Sequence, residues 1–120
     1  MKRILAMLAL SATPALADNA RLTGSEIEAL LTTITAHGTA KETRQKFWTD
    51  GRTEYEERGH YSYGRWWVDG DKYCSVWPPS EGVSCYAVHR NGDLLTWIGR
   101  VGDPIVDRIV PRQTPKGDSQ

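Results

Sequence analysis

The stretch Gly64–Arg100, GRWWVDGDKYCSVWPPSEGVSCYAVHRNGDLLTWIGR, holds four of the chain's five tryptophans, both cysteines and three turn signals. Asp69-Gly70 and Asn91-Gly92 are strong hairpin signals, because a type I′ turn needs φ > 0 at two successive residues. Between them, Pro78-Pro79-Ser80-Glu81-Gly82 reads as a wider turn. Proline has no N–H to give a β-ladder, so the preceding strand ends at Trp77. The stretch therefore reads as a four-strand meander over 64–68, 72–77, 83–90 and 93–99.

The cysteines set a register. Placing Cys74 opposite Cys85 in an antiparallel pair brings Tyr73 to Tyr86, Ser75 to Ser84 and Val76 to Val83, and such like-with-like pairs favour a sheet. Two-residue turns at Asn91-Gly92 and Asp69-Gly70 then place Trp97 beside Tyr86, Leu95 beside Val88, Ile98 beside Cys85, and Trp66 beside Tyr73. One face carries the aromatic row Trp66, Tyr73, Tyr86, Trp97, backed by Val88, Leu95 and Trp77. The other carries Cys74, Cys85, Val76, Val83, Ala87, Leu94 and Ile98. Two apolar faces both need cover, so the sheet is expected to curl into a barrel or be packed on both sides.

Toward the N-terminus, Lys2 and Arg3 precede the apolar run Ile4–Leu10, and Thr13-Pro14-Ala15-Leu16-Ala17 follows. This is the order of a secretory signal peptide over residues 1–17, with a mature start at Asp18. The run is well short of the roughly 20 apolar residues that a membrane span needs. The expected location is the periplasm or the outside of the cell, with no membrane insertion after cleavage. Without Lys2 and Arg3 the chain has 13 basic and 15 acidic residues. No basic patch calls for nucleic acid. Residues 18–110 make one small domain, and two cysteines in an oxidising compartment read as a structural disulfide, Cys74–Cys85. A loop of that size contributes about 3 kcal/mol when closed.

Leu22-Thr23-Gly24-Ser25-Glu26-Ile27 is a helix start: Thr23 caps, Glu26 completes the capping box, and Leu22 and Ile27 form the staple. Ile27, Leu30, Leu31 and Ile34 make one apolar stripe, and the helix is expected to end near Thr32 and either plug the sheet's open end or cover its disulfide face. Thr33–His37 reads as a short strand. Thr43–Thr49 alternates, with Thr43, Gln45 and Phe47 on one side and Arg44, Lys46 and Trp48 on the other. Asp50-Gly51 is a third tight turn leading into Arg52–Arg58, and Ile105–Val110 is a last strand. Residues 111–120, PRQTPKGDSQ, read as a disordered polar tail. The fold class is mainly β: an up-and-down antiparallel barrel, or else an open sandwich, of seven to eight strands with one short N-terminal helix. Aromatic residues dominate the expected core, which suits a narrow barrel filled by rings.

At Gly64-x-Trp66, Cys74-x-x-Trp77 and Cys85-x-x-Val88, together with the Leu22–Ile27 helix start and the Asp50-Gly51 turn, the chain resembles a family of small exported proteobacterial proteins of unknown function. The resemblance covers most of the mature chain. It implies export, the disulfide and a β fold, and brings no activity with it.

Catalytic signals are sparse. His37, His60 and His89 lack a metal-ligand spacing, so neither metal nor cofactor is expected. Glu54, Glu56 and Glu57 offer paired carboxylates for glycoside hydrolysis, but a solvated edge strand explains them more simply. No nucleophile elbow or phosphate loop is present. The reading is therefore a non-catalytic binding or interaction module, with a small-ligand carrier holding a cavity inside the barrel as first alternative and an enzyme with a His/Glu site at the barrel mouth as second. The candidate binding residues are Trp67, outside the aromatic row, and Trp48 with Arg44 and Lys46. A ring beside cationic stems suits an unidentified protein or glycan partner.

Overall fold

The structure, a computed structural model, describes residues 20–113; the signal peptide read at 1–17 lies outside them. Nine strands form one antiparallel sheet: β1 Ala20–Arg21, β2 Ile34–Gly38, β3 Thr43–Phe47, β4 Arg52–Glu57, β5 His60–Asp69, β6 Lys72–Val76, β7 Val83–Asn91, β8 Leu94–Ile98 and β9 Ile105–Pro111. Strands β2 to β9 follow one another around a closed eight-strand barrel, sealed where β9 pairs back onto β2. Strand β1 is an extra pairing on β7, Ala20 opposite Arg90 and Arg21 opposite His89.

The disulfide register is as read from the sequence: Cys74 lies opposite Cys85, flanked by Tyr73/Tyr86, Ser75/Ser84 and Val76/Val83, and the two sulfurs are bonded. The neighbouring hairpins differ from the reading by one step of two residues. Asp69 pairs with Lys72 and Asn91 with Leu94, so Gly70-Asp71 and Gly92-Asp93 form the turns. Gly70 and Gly92 have φ of 59° and 61°, whereas neither aspartate has positive φ. Glycine thus stands first in each turn, as a type II′ turn requires, and not second after Asp or Asn. Trp97 accordingly lies opposite Val88, Ile98 opposite Ala87 and Trp66 opposite Ser75. A two-residue step preserves parity, so the aromatic row still faces inward.

Helix α1, Gly24–Leu31, carries the expected capping box: Thr23 Oγ1 accepts from the Glu26 amide and Glu26 Oε1 from the Thr23 amide. These bonds hold the Glu26 carboxyl below the usual range, the Thr23 amide bond contributing most. Ile27 and Leu31 are fully buried among Leu22, Ile34, Phe47, Trp66, Val88 and Leu95. The helix therefore plugs one end of the barrel and does not lie over the disulfide face, where Cys74 is buried but Trp67, Val83 and Ile98 are exposed.

At the plugged end β9 includes Pro111, the first residue of the tail read as disordered; residues 114–120 of that tail lie outside the described residues. Pro111 pairs with Ile34, and the Arg112 guanidinium donates to the carbonyls of Phe47, Ile34 and Leu31. One cation thus bonds carbonyls from the end of α1, the start of β2 and the end of β3, charge-assisted contacts that tie the three elements together.

Around the outside, charges are matched across strands, with Arg44 opposite Glu56 and Lys46 opposite Glu54. Strand β4 is paired on both sides and is not an edge; these carboxylates answer the cations of β3. The outer face of β3 and β4 is therefore charged, while the outer face around the disulfide is apolar, with Trp67, Val83 and Ile98 exposed. No helix among the described residues is long and apolar enough to cross a membrane.

Candidate functional site

The end opposite α1 is open. A cavity of about 410 Å³ enters the barrel there, between the strand ends that carry Thr43, Ser62 and Ile105. Its floor is the aromatic row: Tyr73 meets Trp97 edge-on at 5.0 Å and leans on Tyr86 at 6.4 Å. Beneath, Phe47 meets Trp66 and Tyr73 edge-on, each at 5.7 Å, and stacks on Trp97 at 6.1 Å. The row is core on its helix side and lines the cavity on the other. Rings fill the half of the barrel next to α1 and line, without filling, the half toward the mouth.

Strand stagger explains the opening. The first half of β5, His60–Gly64, pairs only with β4, and β6 reaches β5 only from Arg65 onward. The wall beyond Val76 is completed by the Trp77 ring, which meets Tyr55 edge-on at 6.2 Å. Gly64 makes this possible, since a Cβ there would lie 2.7 Å from Trp77 Cε3 and 2.6 Å from the Val76 carbonyl oxygen. Gly99 seats Tyr86 in the same way, with a Cβ 2.9 Å from its Cε1. At Gly64 within β5 and at Gly99 just past the end of β8, the missing side chain lets a ring lie on the backbone. The disulfide ties the neck of the loop 77–82 that presents Trp77.

The polar groups are few and placed. Gln45 Nε2 donates to the Tyr73 hydroxyl and to Thr53 Oγ1, both at 3.1 Å, and Thr53 donates to the Lys46 carbonyl. Burial pushes the Tyr73 hydroxyl up to about 12, so it stays a neutral donor. Burial likewise raises Tyr55. Asp107 is the one charged residue of the lining. Its Oδ2 accepts from Trp97 Nε1 at 2.8 Å, and no basic side chain lies within ion-pair distance of it among the described residues. Burial pushes its carboxyl above the usual range, against the lowering effect of the indole bond. The folded protein then holds this proton more tightly than the unfolded chain. Stability from Asp107 is greatest in acid and falls as pH rises from the unfolded value through the folded one. Tyr55, the titratable neighbour across the mouth, remains neutral through that window.

The residues singled out from sequence do not converge. Trp67 is 39% exposed on the outer wall, opposite Cys74. Trp48 lies at the plugged end, between the guanidinium carbons of Arg52 at 5.5 Å and Arg112 at 5.4 Å. Its cationic neighbours are thus not Arg44 and Lys46, which face Glu56 and Glu54. The alternation of β3 stops at Phe47, where the chain turns, so parity could not be carried on to Trp48. His37 sits on β2 between Arg44 and Arg108, held below its ordinary pKa by burial and by the Arg44 charge. His60 begins β5 at the mouth and His89 faces β1. Among the described residues no three His, Cys, Asp or Glu side chains come together as a metal site. Asp107, Tyr55 and Gln45 were not picked out; the signal available was an aspartate at an inward position between Ile105 and Ile109.

No family model, curated protein or solved structure matches this chain.

Proposed function

We propose that this is an exported, non-catalytic carrier or binding protein that takes a small ligand into the open mouth of its barrel. The observation that carries the reading is the asymmetry of the barrel. One end is sealed by α1 and the Arg112 clamp, while the other keeps a cavity of about 410 Å³ walled by aromatic rings. That volume and lining suit a small organic molecule, apolar for the most part and oriented by a few polar groups. The neutral hydroxyls and single carboxylate of the lining fit holding a ligand better than proton transfer between a paired acid and base.

The test is a fluorescence titration with the neutral apolar dye N-phenyl-1-naphthylamine. Saturable enhancement with one site per chain is expected. Ser62→Trp, a change at an exposed rim position, should weaken dye binding at least tenfold without altering the far-UV spectrum. Absence of enhancement, or full retention of it in Ser62→Trp, would count against a mouth site. Trp67, exposed on the wall, supports a second reading as an anchor for a protein or glycan partner. Trp67→Ala is expected to leave dye affinity unchanged and, because most of the ring surface is buried, to cost about 1–3 kcal/mol in a urea melt.

A further inference from the structure

We propose that the mouth selects organic cations: a compact ammonium or quaternary ammonium group on an apolar or aromatic body, held between ring faces and the Asp107 carboxylate. This rests on the mouth being a ligand site and specifies what enters it.

Five rings line the cavity, Tyr55, Tyr73, Trp77, Tyr86 and Trp97. An aromatic face carries negative potential and attracts a cation centred within about 6 Å. The lining contains no lysine, arginine or histidine, and its one charge is Asp107. That carboxylate has an indole N–H for a partner at 2.8 Å and no counter-ion within reach among the described residues. A carboxylate taken partly out of water is stabilised by a cation and is left costly by a neutral or anionic guest. The phenol hydroxyl of the floor is neutral, with Tyr73 pushed up to about 12, so nothing else in the cavity competes with Asp107 for a cation's charge. A guest with its charge at Asp107 and its body on Tyr73, Tyr86 and Trp97 satisfies both features of the lining.

The indole bond does not itself call for a charge. Asparagine at 107 keeps an oxygen for Trp97 Nε1 to donate to and removes only the ionisation, so Asp107→Asn separates recognition from support.

The experiment displaces the bound dye from purified protein at pH 7 with two compounds of the same shape, benzyltrimethylammonium and neopentylbenzene. Water favours transfer of the neutral compound, so a preference for the cation must come from the site. Benzyltrimethylammonium is expected to bind at least tenfold tighter. Asp107→Asn should reduce that ratio at least fivefold, and in the absence of ligand should raise Tm, because the empty barrel loses an uncompensated charge. If the dye binds but neopentylbenzene displaces it as well as or better than the cation, or neither displaces it, cation selection is wrong and the mouth site stands. If the dye itself does not bind, both readings fail. A Tm that falls in Asp107→Asn with the cation preference unchanged assigns the carboxylate a purely structural role and overturns the proposal.

Discussion

Replacing Phe47 with alanine is expected to cost the fold about 3–5 kcal/mol, the usual range for removing a wholly buried ring. Phe47 has no solvent exposure and meets Trp66, Tyr73 and Trp97 at centroid distances of 5.7–6.1 Å. It stands between the helix-capped core and the floor of the cavity, so its loss removes contacts on both sides at once. Around it the barrel wall is hydrogen-bonded into a closed ring and cannot collapse to fill the hole. Against a total stability of about 5–15 kcal/mol, such a loss is a large fraction. Equilibrium urea denaturation followed by circular dichroism measures it. A loss under about 1 kcal/mol would mean that the ring is not part of a packed core.

Removing the disulfide by the double change Cys74→Ala, Cys85→Ala should cost about 2–4 kcal/mol with the fold retained. The cross-link spans 11 positions in sequence and restricts the unfolded chain. In the native barrel the pairing of β6 with β7 continues on either side of it, so the sheet persists without the bond. The loop 77–82 depends on it more, because the strands that hold that loop end at Val76 and Val83. The double variant is therefore expected to bind the neutral dye several-fold more weakly, Trp77 being less firmly seated on Gly64. Thiol titration of the denatured, unreduced wild-type protein should find no free cysteine. Two reactive thiols in protein made in an oxidising compartment would contradict the bond.

How far the sequence could be read follows from what a two-residue period encodes. It assigns faces, so Trp66, Tyr73, Val88, Leu95 and Trp97 are inward as expected and Trp67 outward. The cysteine pair fixed one register because three flanking pairs agreed with it. The Asp-Gly and Asn-Gly dipeptides located turns but not which residues occupied their centres, and the neighbours across β5–β6 and β7–β8 moved by one step. Parity says nothing about how deep the filling runs. The same ring row makes a solid core when strands are level and leaves a mouth when β5 outruns β6, and that stagger is a property of closure. Asp107 went unread because one inward aspartate in a short strand has no pattern around it; its meaning comes from Trp97, brought beside it by the pairing of β8 with β9. Trp48 was misread for a related reason, since its partners Arg52 and Arg112 come from beyond the strand that precedes it.

The five tryptophans make the central claim directly measurable, because they report from different places. Trp77 and Trp97 line the mouth, Trp66 is in the deep core, Trp48 lies at the plugged end and Trp67 is on the outer wall. The measurement is a proton–nitrogen correlation spectrum of the five indole N–H groups during titration with N-phenyl-1-naphthylamine. Shifts at Trp77 and Trp97, with Trp48 and Trp67 unmoved, are the result expected of a ligand-binding mouth. Shifts at Trp67 or Trp48 with Trp77 and Trp97 unmoved, or no shifts at saturating dye, would contradict it.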